Sequence, residues 1–569
     1  MEIGRPNAAK YYLTFSDEKY RFLGRIIPSF WAIIPLWYLV RDNPGHLRAR
    51  IGGAGPWPMM PPGMALPGED IGEGGRWVRY WEGGAGGIEE GRRSFMGLFS
   101  LIHYSGGVML EIKEFEIMTR DIFHLITEYG YESITAECGV INRDQLQQEG
   151  MKEKFLIKCH EGWKLGQEKI VNELIRNLDS KEKFRNLINQ TNDKLEIKKI
   201  QQQLDSLKYQ ELILRKLADS IAWQIFHMEE PIVKRFMINE DSPIIQPNNL
   251  LREKKVIDEF NKTHPLAFSL LCDITSFIQI GDAITIDFSK SVRTITIVEL
   301  KNGKMNSILR YVLDQYPVEC NDEDFLKMVH AEFGKKVVSQ IKRMKSQDVR
   351  MNRVIQVINT GKGIDPIGDP IRIPDKIHLM DNFDEKIQEL LTNATVKKFS
   401  LDIIDNCLYV GAYSNKFPYP EYAFELMMIG YGNLYPITDF RSTLSHPVAM
   451  PPFLLPLEKE EIFDLLFHRK QLLFCLDYNK WFESCKIEGV SVHWSTTKSA
   501  EKMKQNSKPI HRPYLYKNQM IEIDANHRQM FLGAGLLIRI FFNFCSPKTV
   551  LNMYAMIEYN DDEKPYSSS

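Results

Sequence analysis

Two short runs rich in Ile, Thr and Val, Gly281 to Asp287 and Arg293 to Asn302, constrain this chain more than any other feature. β-Branched residues alternating with polar ones suit a pleated, half-buried surface. With Ser289-Lys290-Ser291-Val292 at the turn, the spacing predicts two paired strands. Period-two alternation then assigns the faces. Val298 and Leu300 point into a core, and Glu299 and Lys301 share the opposite side. Asp282 opens the first strand, so hairpin pairing brings its carboxylate toward Glu299, although the two lie seventeen positions apart (299 minus 282). Two carboxylates beside an amine suit a hard divalent cation such as Mg2+.

That set of groups meets the needs of phosphodiester hydrolysis. A phosphodiester is an anion that repels hydroxide, so its cleavage takes a Lewis acid on the phosphate, an activated water and a cation for the developing charge. The pattern resembles the PD-(D/E)XK (restriction-endonuclease-like) nuclease superfamily in three residues and their spacing, Asp282 followed by Glu299-Leu300-Lys301, with Gly281 standing where the superfamily's name has Pro. The resemblance implies a metal-dependent nuclease in which Asp282 and Glu299 hold Mg2+ or Mn2+. Lys301 would orient or help deprotonate the attacking water and stabilise charge on the phosphate. It further implies an αβββαβ core. The competing reading of Glu-x-Lys is a solvated, salt-bridged strand face.

The flanking segments can be read in the implied order. Leu250 to Phe260 has helical spacing, Leu271 to Ile280 supplies the first strand and the approach to Asp282, and Asp324 to Met344 forms a helix with Phe333, Val337, Ile341 and Met344 as its apolar stripe. Arg353 to Ile358 reads as a buried strand. On the second helix Lys336, Gln340, Arg343 and Gln347 share a face suited to nucleic-acid phosphates, within a run that also holds Lys335, Lys342, Lys345, Arg350 and Arg353. Some branches of the superfamily carry a Gln on this helix, and Gln340 is the residue that matches it. The bland alternative for this basic run is an ordinary solvated helix face. An upstream acid often completes such a site, and both Glu253 and Glu259 are available. Asp287 fits the solvent end of its strand.

Composition bounds the rest. At 569 residues, 44% hydrophobic and 26% charged, the chain is globular and long enough for several cores. A net charge of −2 restricts any nucleic-acid contact to a local patch. Eight scattered Cys without a Cys-x-x-Cys pair point to a reducing, cytoplasmic setting. No phosphate-binding loop is visible, Gly533-Ala534-Gly535 lacking the rest of the fingerprint, and Cys159-His160 reads as structural. The apolar run Phe30 to Val40 is too short to span a bilayer, so no membrane partner is expected.

Four segments follow from the changes in composition: a Gly/Pro-rich extension over 1–108, a helical region over 109–247, the nuclease-like core over 248–399, and a separate aromatic-rich α+β domain with a polar tail over 400–569. Ser105-Gly106-Gly107 can be encoded by a bacterial ribosome-binding sequence, which makes Met109 a candidate start and the extension a candidate non-native segment. In the last segment Tyr514, Tyr516 and Trp494 are interleaved with His511, Arg512, Lys517, His527 and Arg528, a base-stacking pattern whose commoner explanation is an aromatic core. The expectation is therefore a metal-dependent nuclease acting on DNA or RNA, of the restriction or phage-defence kind, alone, as a homodimer or with a partner protein. The alternative is a non-catalytic nucleic-acid-binding or assembly protein of similar fold.

Overall fold

The computed structural model describes residues 8–14, 106–139, 145, 148–289, 294–300, 309, 323–373, 380–396, 398–432, 435–485, 487, 489–506, 513–525, 528–533 and 535–555. All belong to one compact unit, formed by residues 1–30 and 105–569. The chain is α+β, with helices packed around small antiparallel sheets.

Helices α1 (Gly106–Thr127) and α2 (Tyr129–Cys138) precede two long helices, α3 (Glu149–Gln190) and α4 (Lys194–Ile225). Only three residues join α3 to α4, and Asp193 caps α4 by accepting a hydrogen bond from the Leu195 N–H at 2.8 Å. From Ile213 to Trp223 every residue of α4 is buried, including Arg215, Lys216 and Asp219, so this end of the helix runs through the interior.

Helix α5 (Pro247–Thr263) leads into the sheet that carries the sequence motif. Its strands are β2 (Ala267–Leu271), β3 (Ala283–Asp287) and β4 (Thr294–Leu300), with β1 (Ala8–Thr14) against β4, all antiparallel in the order β1-β4-β3-β2. Strand β2 lies at the sheet edge, and its outer groups are taken up by side chains. Gln167 of α3 bonds Leu271 N–H and Ser269 C=O, and Asn261 of α5 bonds the N–H and C=O of Ser269. This edge is closed to further pairing.

Three expectations are corrected here. The first strand lies at Ala267–Leu271, earlier than Leu271 to Ile280. Residues 272–280 form a loop whose Ile274, Phe277 and Ile278 are buried as anchors, their apolarity serving the core without strand pairing. The segment Arg353 to Ile358 is helical, within α7 (Lys335–Thr360), because Met351, Val354 and Val357 bury one helical stripe. The expected closing strand of an αβββαβ core is therefore absent at 353–358, and the sheet's fourth strand is β1. The expected helix Asp324 to Met344 is two helices, α6 (Glu323–Phe333) and α7, broken at Gly334, whose φ of +81° ends one and starts the other.

The chain continues through β5 (Lys362–Ile364), β6 (Pro370–Arg372), α8 (Asp384–Asn393), β7 (Ser400–Ile404), β8 (Leu408–Ser414), α9 (Pro420–Gly430), β9 (Ile437–Asp439), α10 (Lys459–Leu466), β10 (Lys470–Leu476) and α11 (Tyr478–Glu483). It ends with β11 (Val490–Trp494), α12 (Thr497–Asn506), β12 (Leu515–Tyr516), β13 (Gln519–Ala525), β14 (Arg528–Phe531), α13 (Gly535–Phe541) and α14 (Pro547–Ala555). One hydrophobic core runs from Ile122 of α1 through the β2–β4 sheet to Leu551 of α14. Among the described residues, no helix is long and apolar enough to cross a membrane.

Candidate metal centre at one end of the β2–β3–β4 sheet

Asp282 and Glu299 meet because of register. Ala283 pairs with Val298, so the next pair outward sets Asp282 opposite Glu299. Three backbone-level bonds hold Asp282: its N–H donates to Val298 O at 2.8 Å, its C=O accepts from Cys272 N–H at 2.9 Å, and its carboxylate accepts from Leu300 N–H. Gly281 makes the turn possible. It adopts φ +80°, and a Cβ there would lie 2.5 Å from Ile297 Cγ2 and 3.2 Å from Val298 O.

A third carboxylate joins them from helix α5. Glu253 is only 8% exposed, and its Oε2 is buried without a hydrogen-bond partner among the described residues. Glu259, the other acid considered on this helix, faces solvent. Burial, together with the charges of Asp282, Asp273 and Glu299, pushes the Glu253 carboxyl up to about 8. Glu299 is likewise buried, at 5% exposure. It stands on the face of β4 that also carries the buried Ile295 and Ile297.

Asp273 is the functional candidate that the sequence reading missed. It follows Cys272 directly beyond β2, at the level where Cys272 pairs with Asp282, and its pKa is raised by burial, with the Arg215 guanidinium opposing and Glu299 adding to the rise. A strand placed correctly at 267–271 would have put Asp273 beside the motif. The loop it stands on is fastened to α4. Arg215 donates to the carbonyls of Asp273 (3.0 Å), Thr275 (2.8 Å) and Pro243 (2.8 Å), while Asp219 accepts from Ser276 N–H at 2.7 Å and from its hydroxyl. Lys216, fully buried beside Asp219, donates to His446 O at 2.8 Å. Burial is tolerated because each charge has partners.

The other expected residues are distributed as follows. Lys301 lies outside the described residues, as do the turn residues 290–293, His511, Arg512 and His527. On α7, Lys336 and Arg343 are exposed and Gln340 is half-buried between them, on the part of the helix whose Ile341 and Met344 pack with Val329 in a small separate cluster. Asp287 bonds Ser289 N–H and hydroxyl, closing its strand. His160 is buried among Trp163, Phe268 and Phe288 and stays neutral, burial taking its pKa down to about 4. Trp481 is fully buried, and Trp494, Tyr514 and Tyr516 pack around Tyr478.

Among the described residues, two groups bring three donor atoms within 4.8 Å of one another, His124/Glu128/Glu132 and His493/Glu522/Asp524. The carboxylates of Glu253, Asp273, Asp282 and Glu299 are spread more widely, so a cation there would draw them inward. No family model matches this chain, and neither a curated protein nor a solved structure matches it.

Proposed function

We propose that this chain is a divalent-metal-dependent nuclease that hydrolyses phosphodiester bonds in DNA or RNA, with its centre at the end of the β2–β3–β4 sheet. The observation that carries the reading is Glu253. A buried carboxylate with a partnerless oxygen, facing Asp282, Asp273 and Glu299, is costly as it stands and is relieved by a cation. The donor set is all oxygen, which fits Mg2+ or Mn2+ better than a softer ion.

Asp282 and Glu299 would hold the ion, with Glu253 as a third ligand and Asp273 within reach of a bound water. When bound, the ion supplies Lewis acidity and lowers the pKa of a coordinated water. The chain's own residues do the rest. Gly281 and the Leu300 N–H fix the direction of the Asp282 carboxylate, and Arg215 and Asp219 hold the loop bearing Asp273. Helix α7 offers Lys336 and Arg343 to a phosphate backbone. Lys301, two positions past Glu299, is the residue proposed to orient the attacking water.

The test is cleavage of end-labelled single- and double-stranded DNA and RNA with Mg2+ or Mn2+. Asp282→Ala, Glu299→Ala and Glu253→Gln are expected to lose at least about 100-fold in rate by removing metal ligands, and Lys301→Ala a comparable amount with metal binding retained. Nucleic-acid binding without cleavage, equal in all of these proteins, would instead support a binding or assembly role. Full turnover by Lys301→Ala would overturn the role given to that residue.

A further inference from the structure

The sheet formed by β11, β13 and β14 turns one face inward and the other away from the core. Ile521 and Ile523 of β13 are buried in the core, and Val490, Val492 and Trp494 of β11 pack against it. The reverse face carries Ser491 and His493 on β11 and Glu522 and Asp524 on β13, as the alternation requires. His493 pairs directly with Glu522, and Asp524 is the next residue on the same face of β13. His493 Nε2 stands 3.7 Å from Asp524 Oδ2, and one donor atom from each of the three side chains lies within 4.8 Å of the others.

Glu522 makes this more than a surface cluster. It is only 4% exposed, yet its carboxylate takes no hydrogen bond and no Lys or Arg partner among the described residues. Burial raises its pKa, with His493 opposing and Asp524 adding to the rise. A nine-tenths-buried side chain thus brings its carboxylate to an imidazole and a second carboxylate, with no Lys or Arg beside it among the described residues. The other group of this kind, His124/Glu128/Glu132, already has one, since Lys459 Nζ sits 2.9 Å from Glu128. His493 and Asp524 are about half exposed, at 45% and 49%, which leaves an entry path from solvent.

We propose that His493, Glu522 and Asp524 form a second site, for a divalent transition-metal ion of the zinc class, independent of the centre at Asp282 and Glu299. One imidazole and two carboxylates on rigid, paired strands match a four-coordinate ion with solvent in the last position. Bonds of about 2.0–2.2 Å hold tetrahedral donors roughly 3.4 Å apart, near the 3.7 Å between His493 and Asp524, and Glu522, within 4.8 Å of both, would close inward on a bound ion. The imidazole favours Zn2+ over Mg2+, in contrast to the all-oxygen set at the end of the first sheet. A bound ion would cross-link β11 to β13.

The experiment is metal titration of the full chain, stripped with EDTA and carrying Asp282→Ala and Glu299→Ala so that the first centre is disabled. Calorimetry with Zn2+ and with Mg2+ is compared with the same protein bearing Glu522→Gln, Asp524→Asn or His493→Ala, and thermal melting in EDTA checks that each variant folds. One Zn2+ per chain is expected, bound at least about tenfold more tightly than Mg2+, weakened at least about tenfold by each added substitution, and raising the melting temperature only while the three ligands are intact. Absence of Zn2+ binding in the Asp282→Ala/Glu299→Ala protein, Zn2+ binding unaffected by Glu522→Gln and His493→Ala, or equal affinity for Mg2+ would each overturn the proposal. Failure of the nuclease reading would leave this result untouched, because cleavage is not its readout.

Discussion

Glu253 shows how burial turns an ordinary acid into a candidate ligand. Its folded pKa of about 8 stands above the usual carboxylate value of 4.5, so the native state keeps a proton that the unfolded chain releases. Metal-free stability therefore falls as pH rises from the unfolded value through about 8, and the full cost is present above it. Glu253→Gln is neutral throughout. In EDTA it is expected to be more stable than the parent by about 1–3 kcal/mol near pH 9, with no gain near pH 4, as read by urea denaturation. An equal gain at both pH values would remove the charge argument. Gly281 acts through shape. Gly281→Ala forces a Cβ against Ile297 and a positive φ on alanine, so a loss of about 2–4 kcal/mol is expected in urea denaturation. The Asp282, Glu299 pair was readable from spacing alone, since strand alternation is local. The choice of Glu253 over Glu259 was not, because both occupy plausible positions on one helix and only the covering sheet distinguishes the buried acid from the exposed one.

Among elements, the loop between β2 and β3 depends on α4. Arg215 satisfies two carbonyls of this loop, those of Asp273 and Thr275, and that of Pro243 before α5, and replacing it with Met strands those acceptors and leaves Glu211 with one partner fewer. Arg215→Met is expected to cost about 3–5 kcal/mol and to speed amide exchange across residues 272–280 ahead of the sheet, which hydrogen exchange with mass spectrometry can follow. Uniform exchange would show that the loop does not lean on α4. The same region shows where local pattern misleads. Leu271 to Ile280 is apolar enough for a strand, yet its residues serve as buried anchors whose polar groups are met by Arg215 and Asp219. Arg353 to Ile358 is rich in β-branched residues, yet it prolongs the stripe of Ile341, Met344 and Met351 through Val354 in one helix. Short apolar runs carry too few turns to separate the two periods, and the longer helical register decides.

For the whole molecule, the continuous core matters more than the changes in composition along the chain. Helix α1 is joined to the segment around α10 by two bidentate pairs, Arg120 with Glu460 (2.8 and 3.0 Å) and Arg469 with Glu116 (2.7 and 2.9 Å), over a shared apolar layer that includes Phe123, Phe453 and Phe463. Residues 105–569 are accordingly expected to unfold in one calorimetric transition, with calorimetric and van't Hoff enthalpies in agreement, and truncation after residue 399 is expected to abolish folding of the sheet that carries Asp282 and Glu299. Two resolved transitions would show that the core is energetically divided near residue 400. By itself, the sequence determined the β3–β4 hairpin, the facing of Asp282 and Glu299 and the helix before it, because these follow from periods of two and 3.6 residues within single elements. Only the tertiary structure decided which further acids converge, that β2 ends before Asp273, and that His493 meets Glu522 and Asp524, because the burial of a charge depends on what packs over it from distant parts of the chain.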